Sequence, residues 1–174
     1  GYLDPAGMPG VANLTGSQMR AGGTTSLTPM DYDEEAAFLA ANISSSIGDT
    51  SGRASVNSLT KDLDASLDLL FDMLRDPRFD SGRLDLAKSQ ALQQMERRND
   101  STQSIEVREW RRLLRGSDHF TTAPTTQASL DAITRDDLVA FHREFYHPSN
   151  FIFAVSGDVE PDVIAAKLEA RMVD

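Results

Sequence analysis

The 174-residue sequence contains no cysteine, which excludes disulfide bonds, thiolate zinc sites and cysteine nucleophiles. It also has no apolar run approaching the roughly 18 residues of a membrane-spanning helix, and no recognisable signal peptide. Positive charge is scarce, because 17 lysines and arginines stand against 27 aspartates and glutamates, for a net charge of −10. This balance argues against a nucleic-acid surface or an anionic membrane as a partner.

What is present suits a single domain over residues 1–174. Hydrophobic residues make up 40% of the chain and charged residues 25%, which is ordinary for a globular fold and enough for one core. The sequence has no internal repeat that would divide it further. It begins abruptly at GYLDPAG, and we expect the domain to be partial at this end.

Apolar residues at helical spacing predict most of the secondary structure. The second predicted helix places Phe38 and Ile43 on its apolar side, and the fifth carries Trp110, Leu113 and Leu114. We expect these last three side chains either in the core or against a neighbouring domain. The predicted helices cover residues 9–23, 28–43, 61–76, 80–99, 101–115, 133–146 and 161–170.

Two regions have the pattern of strands. Residues 44–60 alternate around a Gly-Asp-Thr-Ser-Gly turn, which predicts two short antiparallel strands or one strand with an irregular entry. FIFAVSG, residues 151–157, is predicted as a fully apolar strand. Helices outnumber these strands, so the predicted fold class is α+β, with helices packed on one face of a mostly antiparallel sheet. So few strands make a small sheet, and we expect further strands before residue 1.

Four segments, in chain order, resemble the motifs of one enzyme family. They are DPAGMPGVANLTGSQMRAGGT, LDLLFDMLRDPRFD, LDAITRDDLVAFHREFYHPSN and FIFAVSGDVEPD. With them the chain is similar to the insulinase/pitrilysin-type metallopeptidases, the inverted zincins that include mitochondrial processing peptidase. The resemblance covers nearly the whole chain and implies the N-terminal half-domain of a clamshell.

Active members of this family carry His-x-x-Glu-His on the helix that the first segment resembles. Residues four apart face the same way on a helix, so two imidazoles can bind one zinc ion. The glutamate reaches the metal-bound water as the general base, and a glutamate on a later helix is the third zinc ligand.

The resemblance places Leu14, Ser17 and Gln18 at the His, Glu and His positions of this motif. Leucine cannot bind zinc, serine is no general base at neutral pH, and glutamine is a poor neutral ligand. Residues 10–24 contain no His, Asp or Glu, so a shift in the alignment restores nothing. The third ligand falls in the region near Lys88. We therefore predict an inactive member that lacks the motif and binds no zinc cofactor.

One strand is a candidate for peptide binding. In active relatives the strand beside the zinc helix binds the substrate by adding it to the sheet as an extra strand. An ordinary strand of the sheet is an equally good interpretation of this region. The candidate residues are Ser45, Ser46, Ile47, Gly48 and Asp49.

The function that the resemblance implies is non-catalytic. The chain would form part of a peptide-binding clamshell chamber, with a second peptidase-like domain or a zinc-bearing homologous subunit as its partner and unfolded peptide as a possible ligand. No nucleic acid and no membrane span are expected. The expected location is the periplasm or another exported compartment of a bacterium.

Two alternatives remain open at this stage. The chain could be an active zinc-dependent peptidase with an unorthodox ligand set such as His142, His147 and Asp158. Residues five apart do not share a helix face, which favours an interpretation of the two histidines as surface or helix-end residues. The chain could also be a purely structural scaffold subunit.

Overall fold

The computed structural model describes residues 1–117 and 119–172. These residues form eight α-helices and one two-stranded antiparallel sheet, which confirms the α+β class. The strands are β1 (Asn42–Ile47) and β2 (Gly52–Asn57). The helices are α1 (Val11–Ala21), α2 (Pro29–Phe38), α3 (Leu63–Arg75), α4 (Ser81–Glu96), α5 (Thr102–Arg115), α6 (Gln127–Ala132), α7 (Arg135–Phe145) and α8 (Pro161–Met172).

The two strands form the hairpin that the sequence predicted. Ile43 pairs with Val56 and Ile47 with Gly52, on either side of the tight turn. The side chains of Ile43 and Ile47 are buried, whereas alternate serines face solvent. One face of the hairpin is therefore packed and the other is polar, as expected for an antiparallel sheet with helices on one side.

Helix α1 lies at the centre of the core and packs against β1, α3, α4 and α7. Its residues Val11 and Met19 have no exposed surface, and Gly23, with a φ of +69°, follows the end of the helix in a conformation that favours glycine. Helix α3 contributes a second buried stripe, from Leu67 to Leu74. The domain is thus built around the helix that carries the degenerate motif.

The second helix is shorter than predicted. It ends at Phe38, and Ala40 then takes a φ of +47°, which turns the chain into β1. Ile43 consequently lies in the strand, and the side chain of Phe38 is 84% exposed. The prediction that both belong to one apolar helix face was wrong, because the chain leaves the helix without a glycine or proline.

The predicted strand at residues 151–157 is not formed. A strand needs a hydrogen-bonded neighbour, and no other part of the described chain pairs with this segment. The ring of Phe151 packs edge-on against Tyr146, and the ring of Phe153, which is 39% exposed, stacks on Phe71. Ile152, between them, is 97% exposed.

Helix α5 buries none of its residues, which corrects the expectation that its apolar side chains lie in the core of the described chain. Trp110 is 62% exposed, Leu113 76% and Leu114 69%. The spacing of these residues correctly predicted that they share one face of a helix, but it could not predict whether another part of the chain packs against that face.

Candidate functional site

The three positions of the degenerate motif do not point in one direction. Leu14 and Gln18, four residues apart on α1, are both buried, at 6% and 3% exposure. Ser17 is exposed, and its hydroxyl donates to the carbonyl oxygen of Leu14 at 3.1 Å. The amide oxygen of Gln18 has no hydrogen-bond partner among the described residues. This part of α1 therefore serves packing.

Helix α1 approaches strand β1 very closely at Gly16. A Cβ atom at this glycine would lie 2.4 Å from the nitrogen of Ile47 and 2.8 Å from its Cγ1. Two side chains of α1 also bind the strand, because Arg20 Nε donates to the Ile43 carbonyl at 3.1 Å and Asn13 Nδ2 to the Ile47 carbonyl at 3.4 Å. The edge of β1 that faces α1 is thus already hydrogen-bonded by this helix.

A small groove separates α1 from α4 and has a volume of about 290 Å³. Both apolar and polar side chains line it. Lys88 is not among the lining residues; its ammonium group donates instead to the carbonyl oxygen of Ile133. The residues on which the site depends are Asn13 and Leu14 from α1, Ala91, Gln94 and Met95 from α4, and Arg98 from the turn that follows α4.

Comparison with known proteins shows which fold this architecture shares. A model of the family described as the "Peptidase M16 inactive domain" matches residues 132–174, about a quarter of the chain. The crystal structure of a peptidase M16 inactive domain from Pseudomonas fluorescens superposes with a TM-score of 0.87 at 22% identity, over 99% of this chain. The fold is that of an M16 peptidase domain. The resemblance to insulinase-type peptidases is confirmed.

Two further solved structures share the M16 fold. A protease from Helicobacter pylori gives a TM-score of 0.80 at 18% identity over 98% of this chain, and the periplasmic protease PqqL from Escherichia coli gives 0.80 at 14% over 98%. This chain spans 42%, 41% and 20% of the three solved chains, in the order given. No curated protein matches the sequence.

Of the three degenerate motif positions only Leu14 lines the groove, and the chemistry of the groove does not suit zinc. Zinc in proteins is bound by thiolate, imidazole or carboxylate groups. The groove offers instead the amides of Asn13 and Gln94, the thioether of Met95 and the guanidinium of Arg98. A fixed positive charge at this position repels a divalent cation. In residues 1–117 and 119–172, no cluster of three His, Asp or Glu side chains could hold a metal ion.

The alternative ligand set is not assembled around His142. This imidazole is buried on α7, with Nε2 2.8 Å from the carbonyl oxygen of Leu74, and its ring stacks on Tyr146 with centroids 5.2 Å apart. Burial lowers the pKa of His142, so its neutral form is favoured. His147 Nε2 lies 3.2 Å from the carbonyl oxygen of Glu144. Both histidines thus have structural partners.

The candidate peptide-binding residues lie at the end of β1 and in the turn that follows. Ser45, Ser46 and Ile47 belong to the strand, whereas Gly48 and Asp49 belong to the turn. Asp49 accepts a backbone hydrogen bond from Tyr2 at 2.7 Å. Strand addition at this edge stays a prediction, and a peptide bound there would replace the hydrogen bonds that Asn13 and Arg20 make to β1.

Sequence reasoning did not assign Asn13, Gln94 or Arg98 to a site. The signal was available in part, since Gln94 and Met95 follow Ala91 by three and four residues and share one face of α4 with it, and Arg98 follows shortly after the helix ends. The missing information was which face of α4 meets α1, because that depends on how two distant helices pack.

Proposed function

We propose that this chain is a non-catalytic M16-type domain that forms part of a peptide-binding chamber together with a second peptidase-like domain or a zinc-bearing subunit. The observation that carries the proposal is the groove between α1 and α4. It includes the degenerate motif position Leu14, and its lining residues include no His, Asp or Glu that could bind zinc or act as a general base. A water molecule there would have no cation to lower its pKa and no carboxylate to accept its proton.

A partner domain is supported by the surface of α5. Four large apolar side chains lie exposed on this helix, which is more than scattered single residues would give on a free surface. The solved structures that share the fold are more than twice as long as this chain. We therefore assign α5 to the contact with a second domain. The four residues are Val107, Trp110, Leu113 and Leu114.

Zinc content and proteolysis test the catalytic part of the proposal. After dialysis against zinc and then against buffer, elemental analysis should find no stoichiometric zinc, and the chain should not cleave unfolded protein. Asn13→Ala and His147→Ala serve to locate any metal that is found. If the chain binds one zinc ion and Asn13→Ala no longer binds it, the proposal is overturned. If His147→Ala no longer binds it, the unorthodox ligand set is supported.

The proposed location is an exported compartment of a bacterium. The fold shared with a periplasmic protease supports this location. No helix among residues 1–117 and 119–172 is long and apolar enough to cross a bilayer. Cell fractionation with an antibody to the chain tests the location.

A further inference from the structure

Positive charge is concentrated in one part of this acidic chain. Six arginines but only three acidic residues lie between positions 97 and 115, whereas the whole chain has a net charge of −10. This segment covers the turn that follows α4 and all of α5. A negatively charged ligand is attracted locally there, although the rest of the surface repels it.

Arg98, at the start of this segment, lines the α1–α4 groove without a partner of its own. Its guanidinium makes no hydrogen bond and no ion pair with any described residue, and the same holds for the side-chain amide of Gln94. Asn13 donates to the carbonyl oxygen of Ile47, which leaves its amide oxygen free to accept. The groove thus presents one cation and two amides with unused hydrogen-bonding groups.

The other anion-attracting feature near the groove is already satisfied. Gly10, at the N-terminus of α1, donates its backbone N–H to Asp4 Oδ2 at 2.8 Å, and Ala12 donates to Asp4 Oδ1 at 2.8 Å. The Asp4 carboxylate therefore caps the helix and compensates its dipole. Recognition of an anion in the groove depends on Arg98 rather than on the helix terminus.

We infer that the α1–α4 groove binds the carboxylate group of a peptide, with Arg98 as its ion-pairing residue and Leu14, Ala91 and Met95 as the contact for the adjoining apolar side chain. The inference rests on the proposed function and adds the ligand class. The carboxylate is that of an acidic side chain within the peptide. Guanidinium and carboxylate form charge-assisted hydrogen bonds, and the amides of Asn13 and Gln94 can bind the neighbouring peptide groups.

Four peptides of the frame Gly-Ser-Leu-X-Leu-Ser-Gly, labelled with fluorescein and, in the first three, amidated at the C-terminus, test the ligand class by anisotropy. X is Glu, Gln or Lys, and the fourth peptide has Gln at X with a free C-terminal carboxylate. The Glu peptide should bind about three- to tenfold more tightly than the Gln peptide. The fourth peptide should bind no more tightly than the Gln peptide, because two residues separate its terminal carboxylate from the nearest leucine.

Arg98→Gln and Arg97→Gln form a matched pair, because they remove the same charge from adjacent exposed residues and only Arg98 lines the groove. We expect Arg98→Gln to abolish the preference for Glu over Gln, and Arg97→Gln to retain it. Circular dichroism checks that both variants fold.

Three results would overturn the inference. Equal binding of the Glu and Gln peptides would remove the carboxylate preference and leave the proposed peptide chamber intact. Absence of binding by all four peptides would contradict both peptide binding and the preference for a carboxylate. The zinc measurement would still test the non-catalytic part of the proposed function independently. Sedimentation would detect self-association of the protein. If the protein self-associates and Arg98→Gln abolishes this, the groove binds a second copy of the chain instead of a peptide.

Discussion

Replacement of Gly16 by alanine tests the close contact between α1 and β1. The new Cβ would lie 2.4 Å from the backbone nitrogen of Ile47 and 2.8 Å from the carbonyl carbon of Ser46. Ordinary contacts of a Cβ atom begin near 3.4 Å. These neighbours are backbone atoms of a paired strand, so they cannot rotate away, and the helix must move by roughly 1 Å or the hairpin must bend.

Two opposing terms set the magnitude of the effect. Alanine favours a helix interior over glycine by roughly 1 kcal/mol. Overpacking of a tight interior costs typically about 1–3 kcal/mol, and we take the upper end because the contacts are with backbone. The net loss in the free energy of unfolding is then about 2 kcal/mol, which lowers Tm by about 4–8 °C for a domain of this size.

Urea denaturation followed by circular dichroism measures this loss, and Gly82→Ala in α4 is the control. A Cβ at Gly82 would meet only the carboxylate oxygen Oδ1 of Asp80, at 3.3 Å. Because that is the end of a side chain, we expect Gly82→Ala to stay within about 0.5 kcal/mol of the parent protein or to gain stability. If Gly16→Ala proves as stable as Gly82→Ala, the close packing of α1 on β1 is refuted.

Three further predictions concern the core, the response to pH and the surface of α5. Gln18→Met should raise the free energy of unfolding by about 1 kcal/mol in a urea titration, because it removes a buried amide oxygen without a partner among the described residues. As the pH falls below the ordinary histidine pKa of 6.5, the unfolded chain is protonated before the buried His142, so stability should decrease. His142→Gln should flatten this profile between about pH 7 and pH 5, and His147→Gln should leave it unchanged. Leu113→Ser should change the free energy of unfolding by less than about 0.5 kcal/mol, yet weaken binding of a partner domain in calorimetry. The fluorescence of Trp110 should shift to shorter wavelength when that domain is added to the parent chain. If the Leu113→Ser variant binds the domain with the same affinity and shows the same shift, α5 is not the contact.

The sequence predicted those elements whose signals are local. Leu67, Leu70 and Leu74 repeat at helical spacing, and α3 follows that pattern between the predicted bounds. The hairpin likewise follows from alternation around a glycine-bounded turn. The order of motifs along the chain was enough to identify the M16 fold.

The features that the sequence did not predict depend on contacts between distant segments. Residues 151–157 have a strand composition, but a strand exists only where another segment pairs with it. The end of α2 escaped prediction because the positive φ falls on Ala40 rather than on a glycine. The α1–α4 groove combines Asn13 with Gln94, two residues far apart in the chain whose meeting is decided by helix packing.

The contacts of Asn13 and Arg20 with β1 have a consequence for solubility. An unpaired strand edge is a template on which other chains aggregate, and fibrils grow from such edges. Here the carbonyl oxygens of Ile43 and Ile47 accept from the helix, so this edge offers few free groups to a second strand. A variant that loses both side-chain donors should therefore precipitate or form fibrils at concentrations where the parent protein stays in solution.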